Sequence, residues 1–279
     1  MIRDTFFSAP RFVSLCRKEM VESWKANLLR FVMMYGIMAI IFVWNGYFKY
    51  QYPHHMLDYN VNRDPVWGFE LGAFIAAIII MGMLSASFIM ERMKSKTNRI
   101  AMLMTPATMF EKFFSRWLVY TFGFLIVFLI AFKLADWTRV VVYLVSYPEL
   151  KDIISPVPLS HLVGPGQYWT PFDDYKFFML GVSAYFFQQS LFILGSSIWP
   201  KNSFVKTFTA IVVITIIYVA IGTTLGKIVF EVRGLHRVNN PVPGEVMTLG
   251  ATILLFGLAI FNWVVAYFRF KESEIINRW

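Results

Sequence analysis

Long apolar runs alternate with short polar segments along this chain, and the runs have the length of membrane crossings. Six windows qualify, at about 31–48, 71–90, 113–132, 177–199, 208–226 and 246–268. Roughly 20 apolar residues rising 1.5 Å each cover the ~30 Å hydrocarbon core of a bilayer. The pattern predicts an all-α integral membrane protein with six transmembrane helices. In the third window the apolar run is Trp117–Phe132, with the helix starting a turn earlier near Phe113. An even number of crossings brings both termini to one side.

Residues 1–30 follow a different period. They hold no apolar core followed by a small-residue cleavage site, which argues against a signal peptide. At helical spacing Phe12, Leu15, Met20 and Trp24 fall along one side, while Arg11, Arg17, Lys18 and Lys25 fall mostly elsewhere. Pro10, just after Ser8, suits a first helical turn. This describes an amphipathic elbow helix lying in the membrane interface. A plain extension of the first span is the alternative.

Composition narrows the class. With 57% hydrophobic, 18% aromatic and only 15% charged residues in 279, the chain is a multi-pass membrane protein in contact with lipid. If the termini lie inside, the inner segments carry most of the 26 Lys and Arg, so the +9 net charge reads as topology. No basic stripe with interleaved stacking residues is present, and no nucleic-acid partner is expected. The termini are therefore expected in the cytoplasm.

The loops are unequal. The expected outer loop 133–176 is the longest and mixes Pro148, Pro156, Pro158 and Pro171 with Trp137, Tyr143, Tyr147 and Trp169, a mixture that suggests an ordered cap. Inside, Pro200–Thr207 is a short turn, and residues 31–279 read as a single transmembrane domain.

Within the six windows, the third taken as its apolar run Trp117–Phe132, there is no Asp, Glu, Lys or Arg; Arg30, Glu70, Lys133 and Lys176 stand at the edges. Ion-coupled transporters place ionisable groups at depth, and this chain shows no such group. Gln188, Gln189 and Asn262 are polar groups at depth, suited to interhelical hydrogen bonding or to lining a pathway. His54, His55, His161 and His236 all fall in loops without metal-ligand spacing. Gly222–Lys227 has three residues between its glycines and Ile228 after the lysine, so it is no phosphate loop. Gly222 and Gly226, like Gly68 and Gly72, instead suit close helix packing. Cys16 is the single cysteine and excludes an internal disulfide. No catalytic, cofactor-binding or metal-binding residue is expected, and the chain is not itself read as an enzyme.

The polar break Glu91–Lys112 is the remaining feature. Its charged half, Glu91–Arg99, leads into Ile100–Met104, a stop at Thr105-Pro106-Ala107, and a restart through Glu111 and Lys112. The spacing predicts a short amphipathic helix over Arg99–Met104, halted because the residue before proline disfavours helical geometry. Thr108-Met-Phe-Glu111 is a candidate capping box for the third span.

In Glu91, Arg92, Thr97, Leu103, Thr105, Pro106, Ala107, Thr108 and Lys112 this break resembles the segment after the second span of permease subunits of ABC-2-type ABC transporters. The resemblance implies a coupling segment, 91–112, that docks on a separate ABC ATPase subunit, with a second permease subunit completing a homo- or heterodimer. ATP and magnesium would sit on the ATPase. The docking candidates it implies are Arg92, Lys94, Lys96, Thr97, Asn98, Arg99, Leu103 and Pro106. The implied activity is ATP-driven export of an amphipathic or lipid-linked substrate across a bacterial cytoplasmic membrane. A non-transporting accessory or sensor protein acting through its outer loop is the alternative.

Overall fold

The computed structural model describes residues 6–51, 64–164, 170–233 and 244–272. Among these residues every regular element is helical. The helices are α1 (Ala9–Glu22), α2 (Trp24–Tyr50), α3 (Trp67–Ser87), α4 (Lys96–Leu103), α5 (Met109–Leu118), α6 (Phe124–Ser146), α7 (Tyr175–Ile198), α8 (Ser203–Arg233) and α9 (Gly244–Lys271). Six helical stretches are long and apolar enough to cross a membrane, which makes the chain a multi-pass membrane protein. By its contacts the chain falls into two compact units, Met1–Ser85 with Phe110–Phe178, and Ala86–Met109 with Met179–Trp279.

Helix bounds depart from the hydropathy windows in an instructive way. Trp24 to Arg30 belong to α2 rather than to the elbow, which ends at the break at Ser23. The third crossing is much longer than 113–132. α5 and α6, joined by a π-helical segment at Val119–Gly123, form one stretch of 38 residues, Met109–Ser146, about 57 Å at 1.5 Å per residue. The loop expected at 133–176 thus begins only at Tyr147. Lys133, Asp136 and Arg139 end the apolar window without ending the helix, because each has a partner in the fold.

In the first unit α2, α3 and α6 enclose a core of Met38, Phe42, Phe74, Phe128 and Phe132. The rings meet edge-on, with Phe42 5.5 Å and Phe74 4.9 Å from Phe132. Gly46 lets α6 come close: a Cβ there would stand 2.4 Å from Cε2 of Tyr143, whose hydroxyl donates to the Val43 carbonyl. Between α3 and the third crossing, the Ser85 hydroxyl donates to the Tyr120 carbonyl at 3.0 Å, inside the π-helical segment. A widened turn frees such a carbonyl from the regular ladder, and a side chain from a neighbouring helix takes it up.

In the second unit α7 pairs with α8 and α9. The turn between α7 and α8 is tight: Asn202 adopts φ 57°, a left-handed conformation that asparagine tolerates, and α8 restarts at Ser203. Gly195 makes this possible, since a Cβ would lie 2.0 Å from Thr207 Oγ1. Gly222, expected to serve such packing, faces nothing within 4 Å, and the side-chain surroundings of position 226 lie outside the described residues. From Val212 to Leu225 the apolar side chains of α8 are mostly exposed, as suits residues facing lipid.

Candidate functional site

The polar break folds into three short pieces. A 3-10 turn at Glu91–Met93 leads to Ser95, whose hydroxyl caps α4 by accepting from the Asn98 N–H. This cap starts the helix at Lys96, three residues before the predicted Arg99, and the helix ends at Leu103, with Thr105 donating to the Ala101 carbonyl just before Pro106. Arg99 turns back on the segment, its guanidinium donating to the Met93 carbonyl at 3.1 Å. Met102 is buried, and Arg92, Arg99 and Leu103 are half-buried.

The exposed face is therefore a subset of the expected docking residues with two additions. Lys94, Lys96, Thr97, Asn98 and Pro106 are exposed, and so are Ala101 and Met104, the latter at 75%. Thr97, Ala101 and Met104 recur at helical spacing and form a small apolar centre within a basic and polar rim. Sequence reading overlooked Ala101 and Met104. Their signal was the same periodicity that put Met102 on the opposite side.

The start of the third crossing is tied to α1. Glu111 is fully buried and takes both Nε and Nη2 of Arg11, at 2.7 and 2.8 Å, and the Ser8 N–H at 2.8 Å. Further along the same helix pair, Arg116 donates to Glu19 at 3.2 Å with the charges reversed. The predicted apolar stripe divides accordingly. Leu15 is buried and Phe12 packs on Phe114 at 5.4 Å, whereas Met20 and Trp24 are exposed together with Val13 and Val21. Cys16 is half-buried on this helix, and burial together with the Glu19 carboxylate pushes its thiol above its ordinary value.

A second site overturns the expectation that no ionisable group is buried. Arg139 of α6 has no exposed side-chain surface, and neither do Asp64, Glu70 and Asp136 around it. Its Nη1 donates to Asp64 Oδ2 and to the Tyr50 hydroxyl, both at 2.7 Å; its Nη2 donates to Asp136 Oδ1 at 2.8 Å and to the Ser155 carbonyl at 2.9 Å. Nε lies 2.7 Å from Glu70 Oε1, without hydrogen-bond alignment. The Tyr50 hydroxyl in turn donates a hydrogen bond to Asp64 Oδ1 at 2.6 Å.

The cluster also holds the chain that follows α6. Ser155 N–H donates to Asp64 and Val157 N–H to Asp136. Lys133 Nζ donates to the Val157 carbonyl, and the Trp67 indole donates to that of Ser155 at 3.1 Å. Extended backbone cannot bond to itself, so these side chains satisfy it. The predicted ordered cap is thus, over 147–164, a strap laid across the ends of α2, α3 and α6.

In the second unit Gln189 and Asn262 are buried, and the Asn262 amide donates to Ser190 Oγ at 2.9 Å, joining α9 to α7. Gln188 is half-buried on α7. His161 stacks edge-on against Trp67 at 5.2 Å, a packing contact; His54, His55, His236 and Trp169 lie outside the described residues. Compared with known protein families, with curated proteins and with solved structures, the chain finds no match in any of the three.

Proposed function

We propose that this chain is the membrane subunit of an ATP-driven exporter of the ABC-2 type, working as a dimer with a separate ATPase that binds the face around α4. The observation that carries this reading is the polar break itself. It is a capped helix with a buried side and an exposed face of Lys94, Thr97, Asn98, Ala101 and Met104, ended by an exposed Pro106. An ordered helix of this kind transmits a push, whereas a flexible loop absorbs it. In this reading the termini are cytoplasmic, α1 rests in the inner interface on Val13, Met20, Val21 and Trp24, and the strap at 147–164 is on the outer side.

The α1–α5 ion pairs give the push a route. A displacement next to Met109 reaches Glu111 and Arg116, and through them Arg11 and Glu19. The charge cluster favours a second reading, an accessory protein whose ordered outer strap is its working surface. Purification from the native membrane in mild detergent separates the two. The exporter reading expects an ABC ATPase in near-equal amount with the chain, and a chain that purifies without one supports the accessory reading.

A further inference from the structure

We infer that the buried cluster around Arg139 is a proton-binding site, with the proton held on Glu70. The inference is independent of the transport reading, because it rests on charge and geometry within one unit.

If every group were ionised, Asp64, Glu70 and Asp136 would face one buried guanidinium, and among the described residues the further cation beside them is Lys133, 4.0 Å from Asp136 and 35% exposed. One negative charge would remain uncompensated in a place with no access to water. A buried group in that position neutralises rather than stay charged.

The donors decide which carboxyl this is. Asp64 accepts from Tyr50, Val66, Ser155 and Arg139. Asp136 accepts from Arg139 and Val157 and has Lys133 beside it. Both are built for a carboxylate. Glu70 is fully buried, points into the same cluster and, among the described residues, has no hydrogen-bond donor on Oε2. Its contact with Arg139 Nε is misaligned, and the same guanidinium is already engaged by Asp64 and Asp136. Protonation removes the charge from an acceptor that lacks donors.

Among the described residues α2 presents Tyr50 to the cluster, the approach to α3 presents Asp64, α3 presents Glu70, and α6 presents Lys133, Asp136 and Arg139. The strap contributes backbone groups only at Ser155 and Val157. A metal ion is the competing source of positive charge. Among the described residues no three His, Cys, Asp or Glu side chains are spaced to hold one.

The test uses the full chain in detergent at neutral pH. Infrared spectroscopy is expected to show a protonated-carboxyl C=O band that disappears in Glu70→Gln. That variant, a neutral copy of the protonated acid, is expected to fold and to melt at the wild-type temperature. Absence of the band in wild type, its full retention in Glu70→Gln, or failure of Glu70→Gln to fold would each overturn the inference. So would a melting temperature raised by sodium or calcium in wild type and not in Glu70→Gln, since a metal ion would then occupy the site.

Discussion

Arg139 and Asp64 meet at 2.7 Å with neither side chain exposed, although 75 residues separate them in the chain. The pair joins α6 to the start of α3, and through Tyr50 it reaches α2 as well. Breaking a buried pair from one side strands the other charge, which costs about 3 to 5 kcal/mol. Arg139→Gln is therefore expected to lower the melting temperature of the detergent-purified protein sharply. Arg139→Lys restores little, because a single ammonium cannot serve acceptors spread around a planar fork. Thermal unfolding of the two variants beside wild type checks this.

The charge reversal between Arg11–Glu111 and Glu19–Arg116 makes the docking of α1 testable by exchange. Arg11→Glu or Glu111→Arg alone places like charges against a buried partner. The double exchange is expected to recover part of the loss, with a coupling of about 1 to 3 kcal/mol in a double-mutant cycle. Protease cleavage after α1 reads the same effect, rising in each single variant and falling back in the double.

Close helix approach is expected at Gly195 and not at Gly222. Gly195→Ala drives a methyl into Thr207 and is expected to cost about 1 to 3 kcal/mol, with Thr207→Ala giving partial relief. Gly222→Ala meets open space and is expected to be neutral or stabilising by about 0.5 to 1 kcal/mol through helix propensity. Melting temperatures in detergent distinguish the two positions.

Cys16 offers a pH test outside the membrane spans. Its thiol sits above the ordinary value because of burial and then Glu19. Only the thiolate reacts, so at a given pH less of it is available than in a free cysteine. The curve of alkylation rate against pH is expected to lie to the alkaline side of a model thiol. Glu19→Gln moves it back part of the way, since burial remains.

Much of this architecture was legible in the sequence, and the misses share one physical cause. The apolar windows located all six crossings because the requirement for apolar length in a bilayer is local. Pro106 marked the end of α4 for an equally local reason, and Ser95 was available as its cap. The cluster was not legible, since Lys133, Asp136 and Arg139 look like the start of a loop until Asp64, Glu70 and the strap are brought to them. A hydropathy window counts each charge as exposed, whereas a helix can carry charges that neutralise one another. Likewise, the docking candidates followed from resemblance, but which of them face outward depended on the turn of Arg99 toward Met93.

That last distinction supplies the most direct test of the proposed function. Ala101→Glu with Met104→Glu alters the exposed centre of α4 while leaving Met102 and Arg99, which hold the segment together, in place. The measurement is the amount of ATPase recovered with the tagged chain from native membranes, compared between wild type and the double variant at equal chain expression. The account predicts ATPase with the wild-type chain and at least a tenfold loss with the variant, which corresponds to about 1.4 kcal/mol of binding. Equal recovery from both would contradict docking at this face, and no ATPase from either would contradict the exporter assignment.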